Sequence, residues 1–388
     1  SMKKYLYFIF TITFSWTTEQ IFIACEGNFN QKNGTLWTIS NNTVTEYPYN
    51  PIGDVVQSLL IYGNQLFVIV NGTSNIQVYN IDESGLSFFK QIETYSSGPR
   101  EMAIYDSPIR GGCRNLYFTN WYSADVKKIN LSTWEIEEEI PTPGLPEDIL
   151  IHNGLLYVSI TMNHDWTDAS QVITIDPTTN TIVESFEVGF GPGSLLMHED
   201  EVYVSRTYYD NNWDAYYGTS KINSNGTVTS TNYGSGTACG GGIYTFQNEV
   251  YRLYNGGIAQ LNDELEIMPE TRLGDYNAGE VYSAEVIGEY IYFGLSDYAA
   301  PDEVVVVNAE GVEVKRYEVG ALPGDFALWK SCTANGDVNF DLSLNILDIV
   351  QVVNNILIDA EFDCQADLNG DNQINVLDII IIVALIID

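Results

Sequence analysis

The chain has 388 residues, which is enough for one large all-β domain and a small second domain. Its 52 Asp and Glu residues against 16 Lys and Arg give a formal net charge of −36, which argues against nucleic acid and acidic membrane surfaces as partners. With 26 Tyr, 16 Phe, 7 Trp and 32 Gly, the composition favours strands and turns over helices.

Residues 1 to 18 are predicted to be a signal peptide. Lys3 and Lys4 precede an apolar stretch, residues 5 to 16, that is too short to span a bilayer. The protein is therefore predicted to be secreted, and either extracellular or associated with the cell surface. Ile23-Ala24-Cys25 resembles a lipoprotein box but lies beyond the apolar run, so lipidation of Cys25 is an alternative to a place in a strand.

A short alternating strand with an aromatic residue at the same place recurs seven times. The aromatic residues are Phe22, Phe67, Tyr117, Tyr157, Tyr203, Tyr251 and Tyr292. By subtraction of those positions, the steps are 45, 50, 40, 46, 48 and 41 residues. This spacing predicts one four-stranded blade of a β-propeller per repeat, and thus an all-β fold with seven blades.

A glycine turn that leads into a second apolar strand precedes most of these repeats. The first aromatic strand, around Phe22, has no such partner before it, whereas the last glycine strand, residues 324 to 329, has no aromatic strand after it. If the chain closes into a ring, residues 324 to 329 supply the innermost strand of the first blade and leave no sheet edge open. The propeller is therefore predicted to span residues 19 to 330.

The start of this domain resembles a known family. Ala24-Cys25-Glu26-Gly27-Asn28-Phe29, followed by Asn33-Gly34, is similar to the opening stretch of the cobalamin-capturing surface propellers of gut bacteria. The resemblance implies a secreted or surface propeller with repeats of roughly forty residues. It implies little about the ligand, since a fold does not determine a function.

Two copies of a D-x-N-x-D pattern lie thirty residues apart near the C-terminus. Calcium prefers six to eight oxygen ligands, and an EF-hand-like loop provides them from positions 1, 3, 5, 7, 9 and 12. The pattern therefore predicts two calcium sites. Their predicted ligands are Asp337, Asn339, Asp341, Ser343, Asn345 and Asp348 in the first loop, and Asp367, Asn369, Asp371, Gln373, Asn375 and Asp378 in the second.

This duplicated pattern resembles a dockerin of type I, over residues 331 to 388. The resemblance implies a calcium-dependent protein–protein interaction with a cohesin-like or other surface or scaffold protein. Leu342 stands at loop position 6, where glycine is usual, so the first site is expected to bind calcium more weakly. Ile346-Leu347 and Val376-Leu377 replace the Ser and Thr residues that many dockerins carry, which puts the usual cohesin specificity in doubt.

The five cysteines fit this division. Cys332 and Cys364 occupy equivalent places ahead of the two loops and are predicted to form a disulfide, whereas Cys25, Cys113 and Cys239 are interpreted as buried apolar residues. Helices are predicted over residues 349 to 358 and 379 to 387. Because the second of these is apolar on all sides, we expect it to be buried on more than one side.

The loops at one mouth of the propeller channel are rich in aromatic residues. Flat aromatic faces beside Asn and Asp suit sugar rings or a large planar ligand. We therefore predict an extracellular binding protein for a glycan or similar organic ligand. The predicted ligand-binding residues are Trp121, Tyr122, His164, Trp166, Tyr208, Trp213, Tyr254 and Tyr298.

Two alternatives remain open from the sequence. Paired carboxylates at the mouth could make the protein a glycosidase or polysaccharide lyase, although no motif of a metalloprotease, nucleophile elbow or phosphate loop is present, and no catalytic residue is assigned. The protein could also be a structural component of an extracellular matrix. The acid and base candidates near the mouth are Arg100, Glu101, Glu147, Asp148, His164, Asp165, Asp214, Glu280 and Asp325.

Overall fold

The computed structural model describes residues 18–106, 114–236, 241–331, 334–339, 343–357, 363–370 and 373–387. Residues Gln20–Trp329 form one compact unit, and the chain from Lys330 onwards belongs to a second. All but one residue of the predicted signal peptide, Cys113, Cys239 and Cys332 lie outside the described residues. No helix among the described residues is long and apolar enough to cross a membrane.

The first unit consists of strands that pair in an antiparallel manner with their neighbours in sequence. Blade one contains β1 (Glu19–Cys25), β2 (Thr35–Ser40) and β3 (Thr43–Glu46). Blade two contains β4 (Val56–Tyr62), β5 (Gln65–Val70), β6 (Asn75–Asp82) and β7 (Gly85–Glu93). Blade three contains β8 (Pro99–Tyr105), β9 (Asn115–Asn120), β10 (Asp125–Asn130) and β11 (Glu135–Pro141). Blade four contains β12 (Leu145–His152), β13 (Leu155–Met162), β14 (Asp168–Asp176) and β15 (Thr181–Glu187).

The remaining blades follow in the same order. Blade five contains β16 (Pro192–His198), β17 (Glu201–Tyr209), β18 (Ala215–Ile222) and β19 (Val228–Ser235). Blade six contains β20 (Ile243–Phe246), β21 (Glu249–Tyr254) and β22 (Gly257–Gln260). Blade seven contains β23 (Val281–Ile287), β24 (Tyr290–Leu295), β25 (Asp302–Val307) and β26 (Glu313–Val319), after which β27 (Pro323–Lys330) returns to the first blade.

The ring closes as the sequence predicts. The first sheet has the order β27-β1-β2-β3, so the last strand of the domain is the innermost strand of blade one. Beyond the strands, the N–H of Glu26 donates to the carbonyl of Leu322 over 2.8 Å, and the indole of Trp329 donates to Asn64 of blade two over 3.0 Å. The seven-bladed, all-β propeller is thereby confirmed.

Blade six departs from the prediction of four strands per blade. Its sheet has three strands in the described part of the chain, and a 3-10 helix, Pro269–Thr271, lies where the outer strand would run. Isolated bridges, Ile258 to Leu273 and Leu261 to Ile267, replace a continuous ladder. Pro269 lacks the N–H that a fourth strand would need, which explains why regular pairing stops there.

The recurring aromatic residues lie in the layers between blades. Phe22, Phe67 and Tyr117 are completely buried, and Tyr251 and Tyr292 nearly so. Neighbouring blades splay apart with distance from the channel, so large flat side chains are needed to fill the space between them. The aromatic residue recurs in the sequence because each layer between two blades needs one.

The second unit contains two helices, α1 (Ile346–Leu357) and α2 (Val376–Ile387). Each begins three residues before the predicted start, because Asn345 and Asn375 accept hydrogen bonds from the N–H groups of Leu347 and Leu377, over 2.8 and 2.9 Å. Within the chain alone, α2 is buried on one side, so the alternative that a partner covers its remaining apolar residues stays a prediction. Its buried residues are Asp378 and Ile382, while Ile380, Leu385, Ile386 and Ile387 are exposed.

Candidate functional site

A cavity of about 780 Å³ lies at one mouth of the central channel. Because the strands of each blade alternate in direction, the loop after the second strand and the connection to the next blade meet on the same face. We call this side the mouth face. The innermost strands of the blades line the cavity, which places their side chains around a single axis.

The cavity wall is strongly acidic. Among the described lining residues, Arg100 is the one basic side chain. The carboxylates that line the cavity are Glu26, Glu101, Glu147, Asp148, Glu285 and Asp325.

Arg100 is bound tightly to this wall. Its Nε and Nη2 donate to the two oxygens of Glu147 over 3.1 and 2.6 Å, and its Nη1 donates to Gln57 over 2.6 Å. The guanidinium also lies over the ring of Trp121, 4.4 Å from its centroid. Burial opposes the charged form, but the attraction and hydrogen bonds of Glu147 outweigh it and raise the pKa of Arg100. A bidentate pair of this kind holds both side chains in one orientation.

The other five carboxyls form no ion pair with a basic side chain in the described part of the chain, and their pKa values change accordingly. Burial raises the pKa of Glu285 to about 8 and that of Glu26 to about 7, and nearby Asp325 adds to both shifts. Burial also raises the pKa of Glu101 well above its ordinary value, reinforced by Asp325 and Asp148. The pKa values of Asp148 and Asp325 rise to about 6 by the same cause. Several of these groups therefore hold a proton near neutral pH.

Asp148 and Asp325 have a structural role in the ring. Each accepts hydrogen bonds from the N–H that follows it and from an N–H in the innermost strand of the next blade, namely Leu195 and Leu59, both over 2.6 Å. These contacts join neighbouring blades around the channel. Of the other cavity carboxyls, Glu26 accepts a hydrogen bond from Tyr282, and Glu285 accepts one from the N–H of Val286 over 3.2 Å.

Aromatic side chains surround the mouth. Trp121 lines the cavity and packs edge to face on Trp166, with 5.9 Å between ring centroids. The indole N–H of Trp121 has no hydrogen-bond partner among the described residues. Tyr298 packs at 6.3 Å on Tyr282, which lines the cavity. Trp166, at 50% exposure, and Tyr298, at 54%, present open ring surface beside the acidic wall.

The other predicted ligand-binding residues lie on the mouth face outside the main cavity. Tyr122 is exposed after β9, and His164 is exposed in the loop after β13. Tyr208 stacks on Tyr216 at 5.8 Å, and Trp213 is 77% exposed. Tyr254 lines a smaller neighbouring cavity. Whether these residues bind a ligand stays a prediction.

Five of the predicted acid and base candidates line the cavity: Arg100, Glu101, Glu147, Asp148 and Asp325. His164, Asp165, Asp214 and Glu280 do not line it. Sequence reasoning missed Glu26 and Glu285. For Glu285 a signal existed, since it lies in the innermost strand of its blade, as do Glu101, Asp148 and Asp325.

The two C-terminal loops repeat each other in detail. Asp348 accepts hydrogen bonds from the N–H groups of Val338 and Asn345 over 3.0 and 2.8 Å. Asp378 accepts from Asn369 and Asn375 over 3.3 and 2.9 Å. Each loop is thus closed by its twelfth residue. The predicted ligands Asp341 and Asp371 lie outside the described residues.

The donor chemistry of these loops fits a divalent cation. Asp337, Asp348, Asp367 and Asp378 are buried, yet residues 331 to 388 contain ten Asp and Glu and no Lys, Arg or His. Buried carboxylates require positive charge nearby, which this segment does not itself provide. No group of three or more His, Cys, Asp or Glu among the described residues is arranged to hold a metal ion, so calcium binding stays a prediction.

The cysteines agree in part with the prediction. Cys364 is disulfide-bonded, and its predicted partner Cys332 lies outside the described residues. Cys25 is a buried free thiol in β1, where burial raises its pKa.

No protein-family model matches the chain, and no curated protein matches its sequence. Solved structures match it in fold. The periplasmic gluconolactonase PpgL of Pseudomonas aeruginosa aligns with a TM-score of 0.56 at 10% identity, over 80% of this chain and 99% of that one. Hydrazine synthase of Kuenenia stuttgartiensis gives 0.56 at 13% identity over 74% and 99%, and apo AztD of Citrobacter koseri gives 0.51 at 12% over 82% and 99%. At such identities the likeness shows that the chain shares the fold of these proteins.

Proposed function

We propose that this chain is an extracellular binding protein. Its propeller binds a glycan or similar polyhydroxylated organic ligand at the mouth face, and its C-terminal unit attaches it to a surface or scaffold protein through calcium-ordered, dockerin-like loops. The observation that supports ligand binding best is the combination of Trp121 and Trp166 with an acidic cavity wall.

An aromatic face and a carboxyl oxygen make complementary contacts with a sugar. The apolar face of a pyranose packs on a ring, while its hydroxyl groups donate to carboxylates and accept from N–H groups. The unpartnered indole N–H of Trp121 is such a donor, because a buried N–H gains most from an acceptor that arrives with a ligand. The predominance of acceptors in the wall favours neutral sugars over polyanionic ones.

The exposed surface of the C-terminal unit supports a protein partner. Ile346 and Val376, Leu347 and Leu377, and Val350 and Ile380 are equivalent pairs in the two repeats, and all six side chains are exposed. Exposed apolar side chains in contiguous turns are typical of protein interaction surfaces. The same positions are apolar and exposed in both copies, so the two repeats present matching surfaces.

Ligand binding is tested with the secreted form of the full chain on a panel of neutral and acidic polysaccharides, with cobalamin as a large planar ligand. We expect retention on at least one glycan, and Trp121→Ala to weaken it at least tenfold. Phe88→Ala is the control, since Phe88 is an aromatic residue that lies on the outer strand β7, away from the mouth. Equal retention by the Trp121 and Phe88 variants would contradict the proposed site.

The cavity carboxyls also favour a second candidate, a glycosidase or polysaccharide lyase. A carboxyl such as Glu285, with its pKa raised to about 8, is protonated near neutral pH and could donate a proton to a leaving oxygen. An assay for turnover of the same polysaccharides separates the binding protein from the enzyme. Gluconolactone is included because one structural neighbour is named a gluconolactonase. Product release by the wild type that is lost in Glu285→Gln would establish the enzyme; binding without turnover would exclude it for that ligand.

A further inference from the structure

A second cavity, about 290 Å³, lies on the mouth face between blades five, six and seven. It shares Gly241 with the main cavity but is lined by different side chains, among them Tyr217, Tyr254 and Arg252. Arg252 lies in β21 and is 1% exposed, which makes it the largest fully buried side chain of the described residues. Its charge therefore has to be balanced inside the protein.

The contacts of Arg252 provide no negative charge. Its Nη1 donates to the hydroxyl of Thr219 and its Nη2 to the carbonyl of Arg206, both over 3.2 Å. Its Nε has no hydrogen-bond partner, and no carboxylate forms an ion pair with it, among the described residues. Residues 237 to 240 lie outside the described residues, between Gly236 and Gly241 in sequence, and contain no Asp or Glu that could supply a negative charge.

A second buried arginine adjoins it and increases the excess of positive charge. Arg206 is 3% exposed and donates to the carbonyls of Phe190 and Thr231 and to the amide oxygen of Asn232, all of them neutral. Its Nε too lacks a partner in the described structure. Two adjacent guanidinium groups without a carboxylate stand out in a chain with 52 Asp and Glu and only 16 Lys and Arg.

The tyrosines around Arg252 reduce the cost of its burial without cancelling its charge. The guanidinium lies 5.6 Å from the ring centroid of Tyr217 and 5.8 Å from that of Tyr233. Such rings attract a cation through their quadrupole but add no net charge. Burial, together with repulsion from the neighbouring Arg206, still lowers the pKa of Arg252 to about 10.

Small residues keep space beside the guanidinium open. Gly241 lines both cavities, and a Cβ atom there would lie 3.8 Å from Nη2 of Arg252 and 3.3 Å from the hydroxyl of Thr207. A side chain at this position would contact the guanidinium, whereas glycine leaves that space empty beside an arginine that is only 1% exposed.

We propose that the cavity beside Arg252 binds the carboxylate group of a small organic ligand. A carboxylate matches the planar fork of a guanidinium, and one such group balances one buried charge. Multiply charged anions are disfavoured, since the chain as a whole has a formal net charge of −36. The inference concerns Arg252 and its cavity, and it holds whether or not the main cavity binds a glycan.

The test is thermal unfolding of the full chain during titration with sodium acetate and, separately, sodium glucuronate, at constant sodium concentration maintained with sodium chloride. We expect a saturable rise in Tm of about 2 to 5 °C. Tighter binding of glucuronate would assign the carboxylate to a sugar acid, and equal affinities would assign it to a simple organic acid. A full shift with chloride alone would overturn selectivity for a carboxylate.

The decisive variant is Arg252→Lys, which keeps the charge but removes the planar fork. We expect it to weaken acetate binding at least tenfold, measured by displacement of trifluoroacetate in fluorine NMR. Arg316→Lys is the matched control, because Arg316 also lies in a propeller strand but pairs with Glu303 and Glu313. Acetate curves for Arg252→Lys that coincide with those of the wild type would overturn the proposal.

Discussion

Two arginines of the mouth face show opposite solutions to the burial of charge. Arg100 is bound by both oxygens of Glu147 in a cavity with six carboxylates, and its pKa is raised. Arg252 contacts a hydroxyl, a carbonyl and aromatic rings, and its pKa is lowered. The charge of Arg100 is balanced by a carboxylate of the protein. The charge of Arg252 is left for a ligand to balance.

The difference depends on what surrounds each guanidinium. Breaking a buried ion pair leaves one partner desolvated and uncompensated, whereas removing a charge that never had a partner removes a cost together with a few hydrogen bonds. Loss of the charge should therefore destabilise the protein much more at Arg100 than at Arg252. The following predictions are ordered from the largest expected effect to the smallest.

The C-terminal unit contains buried carboxylates in a segment, residues 331 to 388, that has no Lys, Arg or His. Removal of calcium with a chelator should lower the free energy of unfolding of this unit by about 5 kcal/mol, as two ions bound well above their Kd would contribute. Helical circular dichroism and thermal unfolding of the full chain measure this. Asp367→Ala should cost more than Asp337→Ala, because the first loop is expected to bind calcium more weakly, with Leu342 at the position where glycine is usual. Identical melting with calcium and with chelator would refute calcium binding.

Arg100→Gln should destabilise the propeller by about 2 to 4 kcal/mol, since it leaves Glu147 without its counter-charge among five other carboxylates. Chemical denaturation at pH 7 measures the effect. Arg316→Gln is the control, because Arg316 forms exposed ion pairs and should cost less than about 1 kcal/mol. Equal losses in both variants would show that the buried pair contributes no more than a surface pair.

The cavity carboxyls predict a characteristic pH dependence. Glu285, Glu26, Asp148 and Asp325 release protons at higher pH in the folded chain, with pKa values of about 8, 7, 6 and 6. The folded state therefore binds more protons than the unfolded state between about pH 4 and pH 8, and the free energy of unfolding falls as pH rises through that interval.

Glu285→Gln should reduce this fall. At pH 8 we expect the variant to be more stable than the wild type by about 2 kcal/mol, with no difference near pH 4. Denaturation curves at both pH values test this, with Glu249→Gln as the control because Glu249 is exposed at the start of β21. A gain that is the same at both pH values would contradict protonation as its cause.

Arg252→Gln should have the smallest effect, a change in the free energy of unfolding of less than about 1 kcal/mol without added carboxylate. Loss of two hydrogen bonds and of contacts with Tyr217 and Tyr233 is offset by removal of an uncompensated charge. Denaturation alongside Arg100→Gln measures the contrast directly. Should Arg252→Gln cost as much as Arg100→Gln, the distinction between the two regions would fail.

Much of the fold follows from local patterns. The repeat of Phe22, Phe67 and Tyr117 predicts the blades because each blade needs a large flat side chain against its neighbour. The unmatched strand around Phe326 predicts the closure of the ring. Blade six was predicted less well, since the effect of Pro269 on a fourth strand depends on the register that the preceding strands impose.

The candidate site was predictable only in part. Trp121, Arg100 and Glu147 could be assigned to the mouth because they follow recognisable turns or lie in innermost strands. Glu26 was missed because it follows the second strand of blade one and reaches the cavity only through the folding of the loop after it. Arg252 was missed because its position in the repeat is otherwise apolar, as Val68, Val158 and Val204 illustrate.

The sequence by itself determined the number of blades, the order of strands and the positions of the acidic C-terminal loops, because periodicity and spacing are properties of neighbouring residues. Only the tertiary structure decided which charges meet. Arg100 and Glu147 are 47 residues apart in the chain and form two hydrogen bonds with each other. Arg252 and Arg206 are 46 residues apart, and the guanidinium of Arg252 donates to the backbone carbonyl of Arg206 and to no carboxylate among the described residues. Charge compensation depends on distance and burial in space, and neither is encoded in a local pattern.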